Sequence, residues 1–97
     1  MNVLVTGSSS GIGETIARTL VEAGHQVVLM ARCADRIVSL AKELNGEGAV
    51  CAQAVPGDVS IWADCARAVD SGLQSFGQLD ALVNSAGTWV DAPFFFG

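Results

Sequence analysis

Basic residues are scarce in this sequence. Lys and Arg number 5 against 10 Asp and Glu, which gives a formal net charge of −5. Because contacts to a phosphate backbone need a basic face, this balance argues against nucleic acid as a partner. Long apolar runs are also missing, since runs such as residues 27–31 fall far short of the ~20 residues of a membrane span. The start, MNVLVTG, has no basic residue and too short an apolar run for a secretory signal. We therefore expect no membrane partner and, by default, a cytoplasmic location.

Cysteine and histidine, the residues typical of zinc sites, are few and scattered. Cys33, Cys51 and Cys65 are odd in number and show no C-x-x-C spacing, which argues against a disulfide framework and against a zinc site. The single histidine, His25, follows Gly24 in an expected turn, far from any second histidine. We therefore expect reduced, structural thiols and no metal site.

What the sequence does contain is a regular alternation of short apolar runs and amphipathic segments. The apolar runs predict strands at residues 2–6, 26–31, 49–55 and 79–83. The amphipathic segments predict helices from residue 12 to a stop at Gly24, over residues 34–44, and from Ser60, as N-cap, to a stop at Gly77. The apolar face expected to be buried in each outer helix consists of Ile12, Ile16, Ala17, Leu20 and Ala23 in the first and Trp62, Ala66, Val69, Leu73 and Phe76 in the third.

This order of elements predicts the fold class. Strands and helices that alternate with short connections imply right-handed crossovers and a parallel sheet with helices on both faces. The nucleotide-binding version has the strand order 3-2-1-4. The sequence thus predicts an α/β, Rossmann-like fold that is incomplete, with residues 1–97 as a partial dinucleotide-binding domain.

A glycine-rich loop lies between the first strand and the first helix, in the segment VTGSSSGIG. Backbone N–H groups at a helix N-terminus lack intrahelical partners and carry the positive end of the helix dipole, so they suit a pyrophosphate. Gly7 would allow the tight turn, Gly11 a close approach of backbone to phosphate, and Gly13 close packing of helix on sheet. A phosphate-transferring P-loop is disfavoured because Glu14 stands where that loop needs a lysine.

The segment TGSSSGIG closely resembles the TGxxxGIG loop of the short-chain dehydrogenase/reductase family. Asp58-Val59 after the third strand resembles the family's adenine-contacting Asp-Val pair, and residues 84–87, NSAG, resemble its NNAG motif. The likeness spans the whole chain but only the cofactor half of a family member. Ser85 departs from the second Asn of the motif, and serine lacks the reach and the amide of that residue.

The resemblance implies a role for each matching residue. The pyrophosphate would be lined by Gly7, Gly11, Ile12 and Gly13. Asp58 would accept a hydrogen bond from the adenine amino group, and Val59 would pack near the ring. Without the surrounding motifs, Asp58 could equally be a residue at the start of a helix. The nucleoside would be bordered by Asn84, Ala86 and Gly87, with Asn84 also tying neighbouring strands.

The charge at the end of the second strand predicts the cofactor. An acidic residue about 20 positions beyond the glycines would bind the ribose 2′-hydroxyl of NAD, whereas an Arg accommodates the 2′-phosphate of NADP. Here the strand ends with Met-Ala-Arg-Cys and no acid, so Arg32 would attract a 2′-phosphate, with hydroxyls added by Ser8 and Ser9. This favours NADP(H) over NAD, the alternative being that Arg32 is an ordinary solvated side chain.

The family resemblance implies hydride transfer with a carbonyl or alcohol substrate, catalysed by a Tyr with a Lys and a Ser. This sequence has no tyrosine. Lys42 falls on the second helix and His25 at the opposite sheet edge, so no catalytic residue is assigned and the 97 residues alone are expected to be inactive.

The end of the chain predicts a partial protein. An open edge at the fourth strand and the apolar cluster Phe94-Phe95-Phe96 suggest that Gly97 is not a natural domain end. A small-molecule substrate is therefore expected only for a longer form, and a homo-oligomer is left open. A non-catalytic dinucleotide-binding or interaction module, and a fragment without function, are the alternatives.

Overall fold

The structure is a computed structural model that describes residues 1–7, 11–46, 48 and 50–84. It contains β1 (Asn2–Thr6), α1 (Gly11–Glu22), β2 (Gln26–Ala31), α2 (Ala34–Asn45), β3 (Ala52–Pro56), α3 (Trp62–Phe76) and β4 (Ala81–Asn84). The strands form one sheet in the order β3-β2-β1-β4, and every pairing is parallel. The predicted Rossmann-like order 3-2-1-4 is confirmed.

The centre of the sheet is β2, which is buried on both faces. Val27, Val28, Leu29 and Met30 are each 0% exposed, as expected for a strand of a parallel sheet covered on both sides. On one face, α1 and α2 pack through side chains such as Ala17, Ile37 and Leu40. On the other face, within the part of the chain that the structure describes, the helix that packs is α3. Because β2 is a nearly continuous apolar run, its observed bounds, Gln26–Ala31, agree with those predicted from the sequence.

The bounds of the third and fourth strands differ from the prediction. β3 begins only at Ala52, because Asn45 at the end of α2 holds the preceding backbone: its Oδ1 accepts from the Cys51 N–H and the Ala52 N–H, each over 2.8 Å. β4 begins at Ala81, since the Asp80 carboxylate accepts from the Asn2 N–H over 2.7 Å at the point where pairing starts. Residue 49, the expected start of β3, lies outside the described residues.

The predicted N-cap of α3 is wrong. The N-cap is Ile61, which makes no side-chain capping bond. The Ser60 hydroxyl, which would have capped the helix, donates instead to Asp58 Oδ1 over 2.7 Å. Ser60 therefore belongs to the turn before the helix and stabilises an aspartate of that turn.

The predicted buried face of α3 is wrong for three of its five residues, while Phe76 is partly buried against the core. Trp62 is 83% exposed, and Val69 and Leu73 are exposed as well, whereas the buried residues are Ala68 and Gly72. A Cβ at Gly72 would lie 2.9 Å from side-chain atoms of both Val28 and Leu79. The helix therefore contacts the sheet through its smallest residues, which allow a close approach. The side chains of Trp62, Val69 and Leu73 remain exposed as a result.

In α1, two residues of the predicted buried face are exposed. Ile12, at 71% exposure, lies on the first turn of the helix beside the loop. Ala23 follows the last residue of the helix and is exposed too. Ala17 is fully buried, and Ile16 and Leu20 are half-buried against the core. The apolar face of α1 is therefore narrower than the sequence pattern predicts.

Candidate functional site

The carboxyl ends of the parallel strands meet at one edge of the sheet, and predicted site residues stand at each of them. Gly7 follows β1 and Arg32 follows β2. Asp58 lies just beyond β3, and Asn84 is the last residue of β4. Strand order reverses between β1 and β4, and in open α/β sheets ligands bind at the carboxyl edge beside such a reversal.

The loop between β1 and α1 begins with a conformation that suits glycine. Gly7 has φ of 69°, a left-handed value that residues with a Cβ rarely adopt. Its N–H donates to the Met30 carbonyl oxygen over 2.8 Å, which fixes the start of the loop on β2. Ser8 and Ser9 lie outside the described residues.

The far end of this loop is the first turn of α1. Gly13 is buried in the helix, as the sequence predicts for close packing on the sheet. Apart from its chain neighbours and the backbone of its own helix, a Cβ at Gly11 would meet none of the described residues within 4 Å, so packing against them does not require glycine there. The charge of Glu14 is paired with Arg18, Nε to Oε2 at 3.2 Å. The open space at Gly11 fits a group that approaches the helix N-terminus from outside.

The turn after β2 presents one positive charge to solvent. The side chain of Arg32 is 81% exposed, and its Nη1 lies 3.8 Å from Asp58 Oδ2. The next residue, Cys33, is the N-cap of α2 and makes no side-chain capping bond. This turn therefore holds Arg32 beside the end of β3 without fixing its guanidinium in one geometry.

The turn after β3 is more ordered, with Asp58 at its centre. Asp58 Oδ1 accepts from the Ser60 N–H over 2.9 Å and from the Ser60 hydroxyl over 2.7 Å. These two hydrogen bonds, and less strongly the nearby Arg32, lower the pKa of the Asp58 carboxyl, while partial burial acts in the opposite direction. Asp58 is thus held as a carboxylate, and Val59 beside it is 37% exposed.

The end of β4 is bonded to β1 by a side chain. The Thr6 hydroxyl donates to Asn84 Oδ1 over 3.1 Å, and these two residues are also register partners in the sheet. The sequence analysis did not single out Thr6. A hydroxyl that follows the apolar residues of β1 at the end of the strand could have indicated such a bond. Ala86 and Gly87 lie outside the described residues.

Two residues considered for proton transfer lie away from this edge. Lys42 is in the last turn of α2, the end of the helix opposite to Arg32. His25 precedes β2, and its Nδ1 lies 2.8 Å from the amino group of Met1. Among the residues that the structure describes, no group of His, Cys, Asp and Glu could hold a metal ion, and none of their helices is long and apolar enough to cross a membrane.

Comparison with known proteins places the chain in a family. The model of the family described as short chain dehydrogenase matches residues 1–95, so the chain belongs to the short-chain dehydrogenase family. It is 43% identical over 93 residues to 11-beta-hydroxysteroid dehydrogenase-like 4A of Arabidopsis thaliana. That match covers 96% of this chain and 31% of the relative, so the chain spans about a third of the relative's length.

Two solved structures are similar over most of the chain. L-sorbose reductase from Gluconobacter frateurii, complexed with NADPH and L-sorbose, is 39% identical with a TM-score of 0.81, over 93% of this chain and 34% of that one. A 3-ketoacyl-(acyl-carrier-protein) reductase from Brucella melitensis, complexed with NADH, is 36% identical with a TM-score of 0.76, over 84% and 32%. The same arrangement of strands and helices therefore occurs with either dinucleotide.

Proposed function

We propose that these residues are the cofactor-binding portion of an oxidoreductase that transfers a hydride between NADP(H) and a carbonyl or alcohol substrate. The observation that carries the proposal is the meeting of the glycine loop, Arg32 and Asp58 at one edge of the sheet. Bound NADP(H) supplies the nicotinamide ring that donates or accepts the hydride. The NADPH complex of the similar L-sorbose reductase supports this choice of cofactor.

The pyrophosphate would lie at the N-terminus of α1. Backbone N–H groups there have no intrahelical partner and carry partial positive charge. Gly7 turns the chain, Gly11 leaves the approach open and Gly13 brings the helix onto the sheet. The exposed Ile12 on the first turn borders the same space. Ser8 and Ser9 belong to the same loop, but their hydroxyls would bind the 2′-phosphate together with Arg32.

The choice between NADP and NAD depends on Arg32. Since both dinucleotides occur with this arrangement of elements, the fold does not decide between them. The exposed guanidinium of Arg32 would form charge-assisted hydrogen bonds with a 2′-phosphate. An acidic residue that would repel the phosphate is missing from the end of β2. These two features favour NADP(H).

The adenine would lie beside the turn after β3. Asp58 Oδ1 already accepts two hydrogen bonds from Ser60, whereas Oδ2 lies 3.8 Å from Arg32, beyond hydrogen-bond distance. We assign Oδ2 as the acceptor for the adenine amino group and Val59 as an apolar neighbour of the ring. Asn84, with Ala86 and Gly87, would border the nucleoside.

Hydride transfer and substrate binding are assigned to a longer form of the protein. The chain spans about a third of the length of the relative, and the Tyr that the family resemblance implies is missing from the 97 residues. That absence equally favours a second candidate, dinucleotide binding without catalysis. Oxidation of NADPH with a carbonyl substrate, by the longest form that the source cell makes, distinguishes the two.

Titration of the chain with NADPH and with NADH tests the proposed cofactor site. We expect NADPH to bind more tightly, and we expect Gly11→Ala to weaken both ligands about tenfold, a loss of ~1.4 kcal/mol. The new Cβ would meet the phosphates, whereas it would meet no non-local atom of the described residues within 4 Å, so the melting temperature should not fall. Gly48→Ala, three residues beyond the end of α2 and away from the loop, is the matched control. Absence of binding to either dinucleotide, or unchanged binding by Gly11→Ala, would contradict the proposal.

A further inference from the structure

The turn after β3, defined as residues 56–59 so that it includes Pro56, the last residue of the strand, is held along its backbone by side chains of α3. Asp64 Oδ2 accepts a hydrogen bond from the Asp58 N–H over 2.9 Å. Arg67 Nη2 donates to the Pro56 carbonyl oxygen, and its Nη1 lies 3.2 Å from Asp64 Oδ1. The ion pair therefore bonds the turn at two points, one on each side of Gly57.

A third side chain of α3 bonds the same turn. Cys65 Sγ donates to the Val59 carbonyl oxygen over 3.2 Å. Burial, followed by the charges of Asp64 and Asp58, raises the pKa of the Cys65 thiol, so the proton that it donates is retained at neutral pH. We name Asp64, Cys65 and Arg67 the α3 clamp.

The turn also packs directly on the clamp. A Cβ at Gly57 would lie 3.0 Å from Asp64 Cβ, 3.1 Å from Arg67 Nη2 and 3.2 Å from Met30 Cε. No Cβ fits at these distances unless its neighbours move. The position of the turn backbone is therefore set by the first two turns of α3 and by the sheet beneath it.

The clamp matters because the turn carries Asp58. The hydrogen bonds of Asp58 with Ser60 are local, since the two residues are two apart and move together with the turn. The contacts that fix the turn relative to the rest of the protein include the clamp and the bond from the Gly57 N–H to the Ala31 carbonyl oxygen, 2.9 Å long. Loss of the clamp would leave Asp58 ionised but less precisely placed.

We propose that the α3 clamp positions Asp58 for the adenine amino group, so that Asp64 and Arg67 determine how well the protein recognises adenine. They are positioning residues, because they act through the turn backbone and need not touch the dinucleotide. This inference rests on the proposed function, since it takes the ligand of that site to be NADP(H). It adds the region of α3 that the sequence motifs of the site do not include.

The test compares NADPH with its hypoxanthine analogue, in which an oxo group replaces the adenine amino group. In the unmodified protein we expect NADPH to bind about tenfold more tightly, the effect of one charge-assisted hydrogen bond. Asp64→Ala and Arg67→Ala should each reduce this ratio to about twofold. Asp70→Ala, which removes an exposed carboxylate of the same helix, is the control and should keep the ratio. Adding Asp64→Ala to Asp58→Ala should change the ratio no further.

The ratio separates positioning from stability, because a partly unfolded protein binds both ligands less well by the same factor. Arg67 is half exposed, so its variant keeps the test open if Asp64→Ala does not fold. An unchanged ratio in the folded variants would overturn the role of the clamp. A ratio near one in the unmodified protein would overturn it as well, while tight NADPH binding would leave the cofactor site standing. If the unmodified protein bound no dinucleotide, both proposals would fail.

Discussion

The turns after β2 and β3 lie side by side at the sheet edge, and they are built in opposite ways. The turn after β2 offers Arg32, whose side chain is 81% exposed and whose carboxylate neighbour is 3.8 Å away. The turn after β3 offers Asp58, which is mostly shielded and whose backbone is bonded by α3 side chains. One turn exposes a guanidinium at the end of a long side chain, and the other holds a carboxylate through hydrogen bonds to the turn backbone.

This difference matches the ligand groups proposed for each turn. A phosphate carries charge on several oxygens and accepts hydrogen bonds from many directions, so an exposed guanidinium can bind it without being held in place by the protein. An adenine amino group is a single directional donor, and its partner must stand within hydrogen-bond distance at a suitable angle. We therefore infer that charge at the first turn selects NADP(H) over NAD, whereas geometry at the second turn recognises the adenine that both dinucleotides share.

Reversing the charge at the first turn should have the largest effect. In Arg32→Asp, attraction of the 2′-phosphate becomes repulsion, and we expect NADPH binding to weaken about a hundredfold or more. NADH lacks that phosphate, so its binding should change by about threefold at most. Dissociation constants of both ligands, measured by fluorescence titration, give the answer.

The matched control for this charge reversal is Arg36→Asp, which changes an exposed residue on the first turn of α2. It should leave the preference for NADPH in place. Equal losses for the two dinucleotides in Arg32→Asp would show that Arg32 does not meet the 2′-phosphate. The proposal that the turn after β2 recognises the cofactor through its charge would then be contradicted.

A methyl group added to the second turn should have the next largest effect. In Gly57→Ala the new Cβ would lie 3.0 Å from Asp64 Cβ, which is close to the helix backbone and yields little. Overpacking of this kind costs about 1–3 kcal/mol, which denaturation by urea would measure. Gly48→Ala, where the nearest neighbour is 3.9 Å away, should cost much less. Equal stability of the two variants would mean that the turn is not packed on the α3 clamp.

Much of the fold follows from local patterns of sequence. The bounds of β1 and β2 match their predictions to the residue, because each strand is a nearly continuous apolar run. The order of the strands was predicted from the nucleotide-binding version of the parallel α/β fold. The burial of α3 did not follow, since Trp62, Val69 and Leu73 form the stronger apolar stripe while Ala68 and Gly72 make the contact. Sequence periodicity identifies the most hydrophobic face of a helix, but it does not predict how closely the helix packs against the sheet.

The residues of the site also fall into those that the sequence predicts and those that it does not. The glycine loop, Asp58 and Asn84 were predicted because they belong to short motifs that stand at strand ends. Asp64 and Arg67 were not, because their bonds join a helix to the backbone of a turn and no sequence spacing encodes that contact. The first-turn position of Asp64, where a carboxylate is common, gave the only local sign.

The smallest effect concerns the protonation of Asp58. Hydrogen bonds from Ser60 hold the pKa of this carboxyl below its ordinary value of 3.8. A group whose pKa is depressed by folding adds stability at pH values above its unfolded pKa and loses that contribution as the pH falls through the folded value. The unmodified protein should therefore be more stable than Asp58→Asn at pH 7, and the gap should close below about pH 4. Urea midpoints at pH 7 and pH 3 measure the gap, and Asp70→Asn, a change of an exposed carboxylate, should show little gap at either pH. If the difference in stability between the unmodified protein and Asp58→Asn stayed constant with pH, the negative charge of Asp58 would not contribute to the stability of its turn.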